Sequence, residues 1–293
     1  MSTYQIITDS ASDLPADLIR ELDVKCVSLT LNFEGKTMGD SVTDDIRALY
    51  AALRAGEVAT TAAANPEHWR AAIEPVVQEG KDVLVLAFSS GLSTTYQSAV
   101  IAAKELEERY PGRKVNVVDT RCASLGEGLL VWYACKKRDE GLDLDALTAW
   151  VEELKPHLCH WFTVDDLMYL KRGGRVSAAA GWIGTLLRLC PVIEANCEGK
   201  LIPREKIRGK QRALRVLVEK MVSYAEGGMA YDGPCHISHA DNLADAEQLA
   251  GMIEEKFPQL RGRIVINTVG TTLGSHCGPG MVALFFYGTE RGR

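Results

Sequence analysis

VLVLAFSSGLSTTYQSA, residues 83–99, changes character twice. The run 83–88 (VLVLAF) is short and wholly apolar, which suits a strand buried on both faces. Residues 89–99 (SSGLSTTYQSA) follow at once, and 100–110 (VIAAKELEERY) has a helical pattern. The order is buried strand, hydroxyl-rich turn, helix. Such a turn gathers backbone N–H groups and hydroxyls beside the positive end of a helix dipole, a setting that suits a carboxylate or a phosphate. Ser89, Ser90, Ser93, Thr94 and Thr95 put five hydroxyls within seven residues. One or two suffice for a helix cap, so the excess points to a ligand.

The same alternation extends both ways. Strands are predicted at 5–8, 25–32, 83–88 and 114–119. Helices are predicted from Ser12/Asp13 and Pro15 to Glu21, then at 43–54 with Thr43 as cap, 66–79, 97–110 and 123–138. This βα order predicts a mainly parallel sheet flanked by helices. A helix at 144–155, stopped by Pro156, leads to a second pattern. There, strands at 160–163, 191–196, 201–207, 236–239, 263–268 and 281–287 accompany helices at 210–225 and 242–257. The C-terminal half is therefore expected to be an α/β sandwich with a mixed or antiparallel sheet.

The chain has 293 residues, with 46% hydrophobic and 25% charged residues, ordinary values for a globular protein. A net charge of −6 argues against general nucleic-acid binding. No apolar run approaches the roughly 18 residues of a membrane span. The start MSTYQIITDS has neither a basic region nor an apolar signal core, so a cytoplasmic location is expected. Eight scattered cysteines without a CxxC pair suggest reduced core residues. His236 and His239 lie on opposite faces of a predicted strand, which disfavours a metal site.

Four polar segments sit at strand ends. Asp9 and Ser10 follow the first strand and are candidates to lie near a ligand, although an Asx turn and helix cap also explain them. In 60–66 (TTAAANP), Asn65 and Pro66 fit a helix start, which leaves Thr60 and Thr61 unexplained. The hydroxyl run 89–95 is the third. In the fourth, 274–280 (GSHCGPG), Gly278-Pro279-Gly280 reads as a sharp turn, with His276 in the loop before it. Ser93 with His276 also raises a serine-dependent acyl hydrolase or transferase, but Gly91-Leu92-Ser93-Thr94-Thr95 lacks the second glycine of a nucleophile elbow. No GxxxxGK[ST] phosphate loop occurs. The segment 164–177 (VDDLMYLKRGGRVS) reads as a helix ending at Gly173-Gly174. The run 200–215 carries seven basic residues against Glu205 and suggests a docking face for an acidic partner or a phosphate.

Taken together, seven segments in register resemble the DegV family of bacterial lipid-binding proteins. They are ITDSASDLP (7–15), TTAAANPEHW (60–69), SSGLSTTYQSA (89–99), VVDTRCASLGEG (117–128), FTVDDLMYLKRGGRVS (162–177), GKLIPREKIRGKQRAL (199–214) and HCGPGMVALFFYG (276–288). The resemblance spans the whole chain. It implies two domains, 1–155 and 156–293, with one long-chain fatty acid buried between them and no covalent cofactor or metal. It further implies a non-catalytic role in lipid transport or fatty acid metabolism. The nearest role is the binding subunit of a fatty acid kinase, which presents the carboxylate to a separate ATP-binding kinase for acyl-phosphate formation. A lipid-sensing regulator is an alternative. By position in the motifs, Thr61, Ser93, Thr94 and His276 are the expected carboxylate-binding residues. Arg208 of the K-x-R-G motif, and Arg172 in the basic segment 171–175, are the expected partner contacts. Two departures stand out. Thr94 replaces a glycine of SGLSGT, and a loop needing positive φ there would be strained. Ala62–Ala64 replace hydrogen-bonding residues of TSQPSP.

Overall fold

A computed structural model describes residues 4–40, 45–176 and 189–292. The predicted cap Thr43 and the end of the segment 164–177 lie outside the described residues. Strands β1 (Tyr4–Asp9), β2 (Val24–Val27), β6 (Asp82–Ala87) and β7 (Val115–Asp119) form a parallel sheet in the order β2-β1-β6-β7. In β6, Val83 to Ala87 are fully buried, as its unbroken apolar run requires. Helices α1 (Ala16–Glu21), α3 (Pro66–Gln78), α4 (Thr95–Arg109) and α6 (Leu144–Leu154) pack on this sheet. Asn65 caps α3 by accepting from His68 N at 2.9 Å, with Pro66 at the first helical position.

The predicted strand 25–32 is two strands. The chain leaves the parallel sheet after Val27 and starts β3 (Thr30–Phe33), which pairs with β4 (Lys36–Gly39) and β5 (Thr60–Ala62) in a separate antiparallel sheet. The bend is held from outside: Leu29 N donates to Ser10 Oγ at 2.9 Å, and Leu29 O accepts from Asp40 N at 2.8 Å. Residues 60–62, assigned to no element in the sequence, thus form an edge strand that places Thr61 opposite Leu31. The first predicted helix is also divided, with a 3-10 turn at Ser10–Ser12 before α1. Helix α2 (Asp45–Arg54) follows the small sheet's hairpin.

The C-terminal strands β8 (Leu158–Thr163), β9 (Leu189–Ala195), β10 (Leu201–Arg208), β11 (Cys235–His239), β12 (Val265–Thr268) and β13 (Val282–Tyr287) form one mixed sheet, ordered β10-β9-β8-β13-β11-β12. Only the β11–β12 pair is parallel. Period-two alternation gives it two apolar faces. Val282, Leu284 and Phe286 face helices α8 (Lys210–Tyr224) and α9 (Leu243–Lys256). Ala283 and Phe285 face the N-terminal half, where helix α5 (Leu125–Asp139) crosses β8, β11 and β13. One apolar core therefore runs from the parallel sheet through α5 onto the mixed sheet.

The turn expected at 278–280 is present, but His276, read as a loop residue, lies in a helix. Thr271–Cys277 is a helix, α10, and the turn begins at Gly278 (φ 74°) and Gly280 (φ 91°). Its small polar sequence has no apolar periodicity, and its N-terminal groups are capped from far away. Gly270 N donates to Asp13 Oδ1 at 2.8 Å, while Thr272 N and Thr271 Oγ1 donate to Asp40 Oδ1 at 2.9 and 2.8 Å. A short helix α7 (Met168–Arg172) packs on α10.

Candidate functional site

Between the two halves lies a cavity of about 490 Å³, within the range of small-molecule sites. Leu29, Phe88, Phe162, Leu201, Met281 and Phe285 supply apolar wall from both halves. Ala62 and Ala63 line it too, so the departures at these positions add apolar surface.

Polar groups converge at one region of this wall. Edge strand β5 brings Thr61 Oγ1 to 2.8 Å from His276 Nε2, across 215 positions of sequence. His276 lies in the last turn of α10 and touches Gly173, where an added Cβ would lie 2.3 Å from Nδ1. Burial, helped by the nearby Arg175 charge, lowers the His276 pKa to about 4. The imidazole is therefore neutral near pH 7 and offers hydrogen bonding rather than a fixed charge. Ser93 and Thr94 line the same cavity from the loop between β6 and α4. Ser93 Oγ lies 2.8 Å from Thr95 Oγ1 and accepts from Thr95 N at 3.2 Å. Thr94 has φ −87°, an ordinary conformation, so the expected strain at this glycine-replacing position is absent.

The remaining hydroxyls of the run shape the loop. Ser89 Oγ donates to Gly199 O at 2.9 Å, tying the loop to the turn before β10. Ser90 donates from both Oγ and N to the Asp119 carboxylate. Thr95 is fully buried.

Asp9 and Ser10 do not line the cavity; both turn into the structure. Asp9 is fully buried and accepts from Phe88 N at 2.8 Å and Ala11 N at 3.1 Å. Burial raises its pKa to about 7. Ser10 Oγ donates to Asp40 Oδ2 at 2.8 Å, so it supports the cap of α10 instead. Arg172 and Arg208 are exposed and lie outside this cavity's lining. Arg172 sits 5.3 Å from the centre of the Tyr169 ring, and Arg208 ends β10 opposite Leu189. Within the basic run 200–215, Arg204 pairs with Glu194 and Lys210 with Asp165, both at 2.7 Å.

Arg175 lies in the basic segment 171–175 and was not singled out in the sequence as a cavity residue. It lines the cavity, its Nε donates to Leu92 O at 3.1 Å and its Nη1 donates to Gly173 O. It thus links the Ser93 loop to the Gly173–His276 contact. Gln97 also reaches the cavity and had no sequence signal beyond its place in the first turn of a helix.

The arrangement lacks the geometry of a serine hydrolase. Ser93 is bonded to Thr95 and His276 to Thr61, and no carboxylate among the described residues hydrogen-bonds His276. Among the described residues, no cluster of three or more His, Cys, Asp or Glu side chains is arranged to hold a metal ion. All eight cysteines are free thiols. No helix among the described residues is long and apolar enough to cross a membrane.

Comparison with known proteins agrees with this architecture. Residues 3–289 match the DegV family, described as an uncharacterised protein family. A DegV domain-containing protein of Clostridium perfringens is 40% identical over 293 residues, covering 99% of each chain. A Thermus thermophilus structure, described as showing fatty acid binding of a DegV family protein, superposes with a TM-score of 0.87 at 32% identity. It covers 99% of this chain and 100% of the other. The fatty acid kinase B3 protein of Streptococcus pneumoniae, solved with linoleic acid, shares the fold at 22% identity, with a TM-score of 0.83 and coverage of 99% and 100%. The chain belongs to the DegV family.

Proposed function

We propose that this protein binds one long-chain fatty acid in the cavity between domains 1–155 and 156–293, its carboxylate held by Thr61, Ser93, Thr94 and His276. The observation that carries this reading is the cavity itself: about 490 Å³, apolar over most of its wall, with hydroxyls, a neutral imidazole and Arg175 gathered in one region. Burying each methylene contributes about 0.8 kcal/mol, so a long tail supplies the affinity and the polar groups orient the head. The fatty acid ligand of the Thermus thermophilus relative supports the same chemistry.

The chain acts as a non-catalytic, cytoplasmic carrier that presents the carboxylate to a separate ATP-dependent kinase. The hydroxyls and the neutral imidazole bind the head by hydrogen bonds, while Arg175 on the same wall supplies positive charge beside the carboxylate oxygen that attacks phosphorus. Arg208, exposed at the end of β10, is the proposed kinase contact. The test of binding is denaturing extraction of purified protein followed by lipid mass spectrometry. About one fatty acid per chain is expected, and protein that neither retains nor takes up lipid rules the reading out. Covalent labelling by a fluorophosphonate, lost in Ser93→Ala, would favour the hydrolase instead. Arg208→Ala should impair acyl-phosphate formation with the cognate kinase and spare lipid binding. Loss of both, or of neither, contradicts the docking role.

A further inference from the structure

Behind the cavity wall, Asp13 joins two segments that line it. Its Oδ2 is hydrogen-bonded to Ser124 Oγ, and its Oδ1 accepts from Gly270 N at 2.8 Å. Ser124 lines the cavity at the start of α5. Gly270 precedes α10, which brings Thr272, Leu273 and His276 to the same cavity. Ser124 has φ 55° and ψ −150°, a conformation sparsely populated by residues other than glycine, which persists only where the surroundings hold it. Its side chain is held by Asp13 and, at 2.8 Å, by Ser238 Oγ.

Asp13 is 4% exposed and forms no ion pair among the described residues. Its near neighbour is a second buried carboxyl. Asp13 Oδ1 and Asp40 Oδ1 each lie 3.0 Å from the point that a Cβ on Gly270 would occupy, so the two oxygens are within about 6 Å of each other. Asp9 on β1, Cys26 on β2, Tyr50 on α2, Glu127 on α5 and Cys277 on α10 also interact with Asp13 electrostatically, and none of them carries positive charge. Ionising both carboxyls of such a pair is unfavourable. Asp40 accepts from Ser10 Oγ, Thr271 Oγ1 and Thr272 N, and three donors suit it to hold the negative charge. Burial, and then the charges of Asp40 and Asp9, push the Asp13 carboxyl well above the ordinary aspartate range, against the hydrogen bonds from Ser124 and Gly270 N. The chain Asp13–Ser124–Ser238 suits either state. A neutral Asp13 donates to Ser124, which donates to Ser238; an ionised Asp13 accepts from Ser124, which accepts from Ser238.

We infer that Asp13 is a positioning residue of the lipid site that acts in its protonated form: as a neutral acid it clasps α10 to the start of α5, and on ionisation it repels Asp40 and loosens both cavity walls. This rests on the fatty-acid reading above and adds a proton dependence to it. The sign follows from the pair. At neutral pH and below, one negative charge on Asp40 caps α10 and a neutral Asp13 bridges to Ser124. As pH rises through the Asp13 ionisation, a second charge appears beside the first with no cation to meet it, and Gly270, which lies between them, carries the displacement into α10 and His276. Fatty acid affinity therefore falls in the alkaline range.

The test is titration of the full-length chain, stripped of lipid, with palmitic acid at pH 6 and pH 9, for wild type, Asp13→Asn and Asp40→Asn. Asparagine tolerates the left-handed backbone of residue 13 (φ 50°, ψ 24°) and can offer Oδ1 to Gly270 N and Nδ2 to Ser124 Oγ, as the neutral acid does. The ratio of Asp13→Asn to wild-type affinity cancels the ionisation of the ligand and of the groups both proteins share. It should lie within about twofold of one at pH 6 and rise about tenfold by pH 9. A ratio well below one at pH 6 would mean that the site needs a charged carboxylate, and a ratio equal at both pH values would mean that Asp13 does not control it. Either result overturns the inference while leaving the lipid reading intact. Should Asp13→Asn fail to fold, Asp40→Asn decides. With the like charge gone, its affinity should fall much less than that of wild type between pH 6 and pH 9, and an equal fall overturns the inference. Wild-type chain that binds no palmitic acid at either pH overturns the lipid reading itself.

Discussion

His276 joins separate parts of the site through one imidazole, with Nε2 on Thr61 and the ring against Gly173. Gly173 has φ −68°, so alanine there introduces no backbone strain, only a Cβ 2.3 Å from Nδ1. Gly173→Ala is expected to displace the imidazole and weaken fatty acid binding about tenfold by titration calorimetry, the scale of one lost hydrogen bond to a charged head. Unchanged affinity would remove His276 from the head-binding site. Glu127 offers a second test at this scale. It is fully buried, its Oε2 has no partner, and burial raises its pKa well above the ordinary value. Thr8 has one hydroxyl hydrogen, which its 2.9 Å contact with Leu86 O takes; a protonated Glu127 then donates to Thr8 across 3.0 Å. With the folded pKa raised, this group's contribution to stability is complete below the unfolded value near 4.5 and is lost as pH rises toward the folded one. Glu127→Gln cannot ionise. Its melting temperature should exceed wild type by about 3 °C or more at pH 8 and by less at pH 5. An equal difference at both pH values would mean that Glu127 does not titrate on unfolding.

At the scale of elements, α10 depends on carboxyls from the other end of the chain. Asp40 accepts from Thr271 Oγ1, Thr272 N and Ser10 Oγ, and Asp13 from Gly270 N. Asp40→Ala removes a cap and strands three donors, at an expected cost of about 2 kcal/mol or more in urea denaturation. Fatty acid affinity should fall as well, because the helix carries His276. A loss below about 0.5 kcal/mol would show that α10 is held by packing alone. Long segments with strong periodicity, such as α3, α4, α8 and β6, were legible from sequence because local pattern and burial agree there. The elements β4, β5 and α10 were not. They are short; partners distant in sequence fix the hydrogen bonds of β5 and α10, and β4 is a largely exposed edge strand with little apolar pattern.

At the scale of the molecule, one core crosses from the parallel sheet to the mixed sheet through α5. The two proposed domains should therefore unfold together. Scanning calorimetry is expected to show a single transition that moves up with added fatty acid, by about 2.7 kcal/mol at a hundredfold excess over Kd. Two resolved transitions, only one of them lipid-sensitive, would mean that the halves are independent and that the lipid belongs to one.

The sequence by itself determined the class of fold, the change of pattern near residue 156 and the motif segments from which the cavity is built, because these follow from apolar periodicity and local turn chemistry. It also singled out Thr61, Ser93 and His276. Tertiary structure alone decided that Thr61 meets His276, that Asp9 and Ser10 turn inward, that Thr94 is unstrained and that Arg175 belongs to the cavity wall. Each of those outcomes depends on where the backbone turns or on groups far apart in the chain. Two residues 215 positions apart leave no local pattern recording that their side chains share a hydrogen bond.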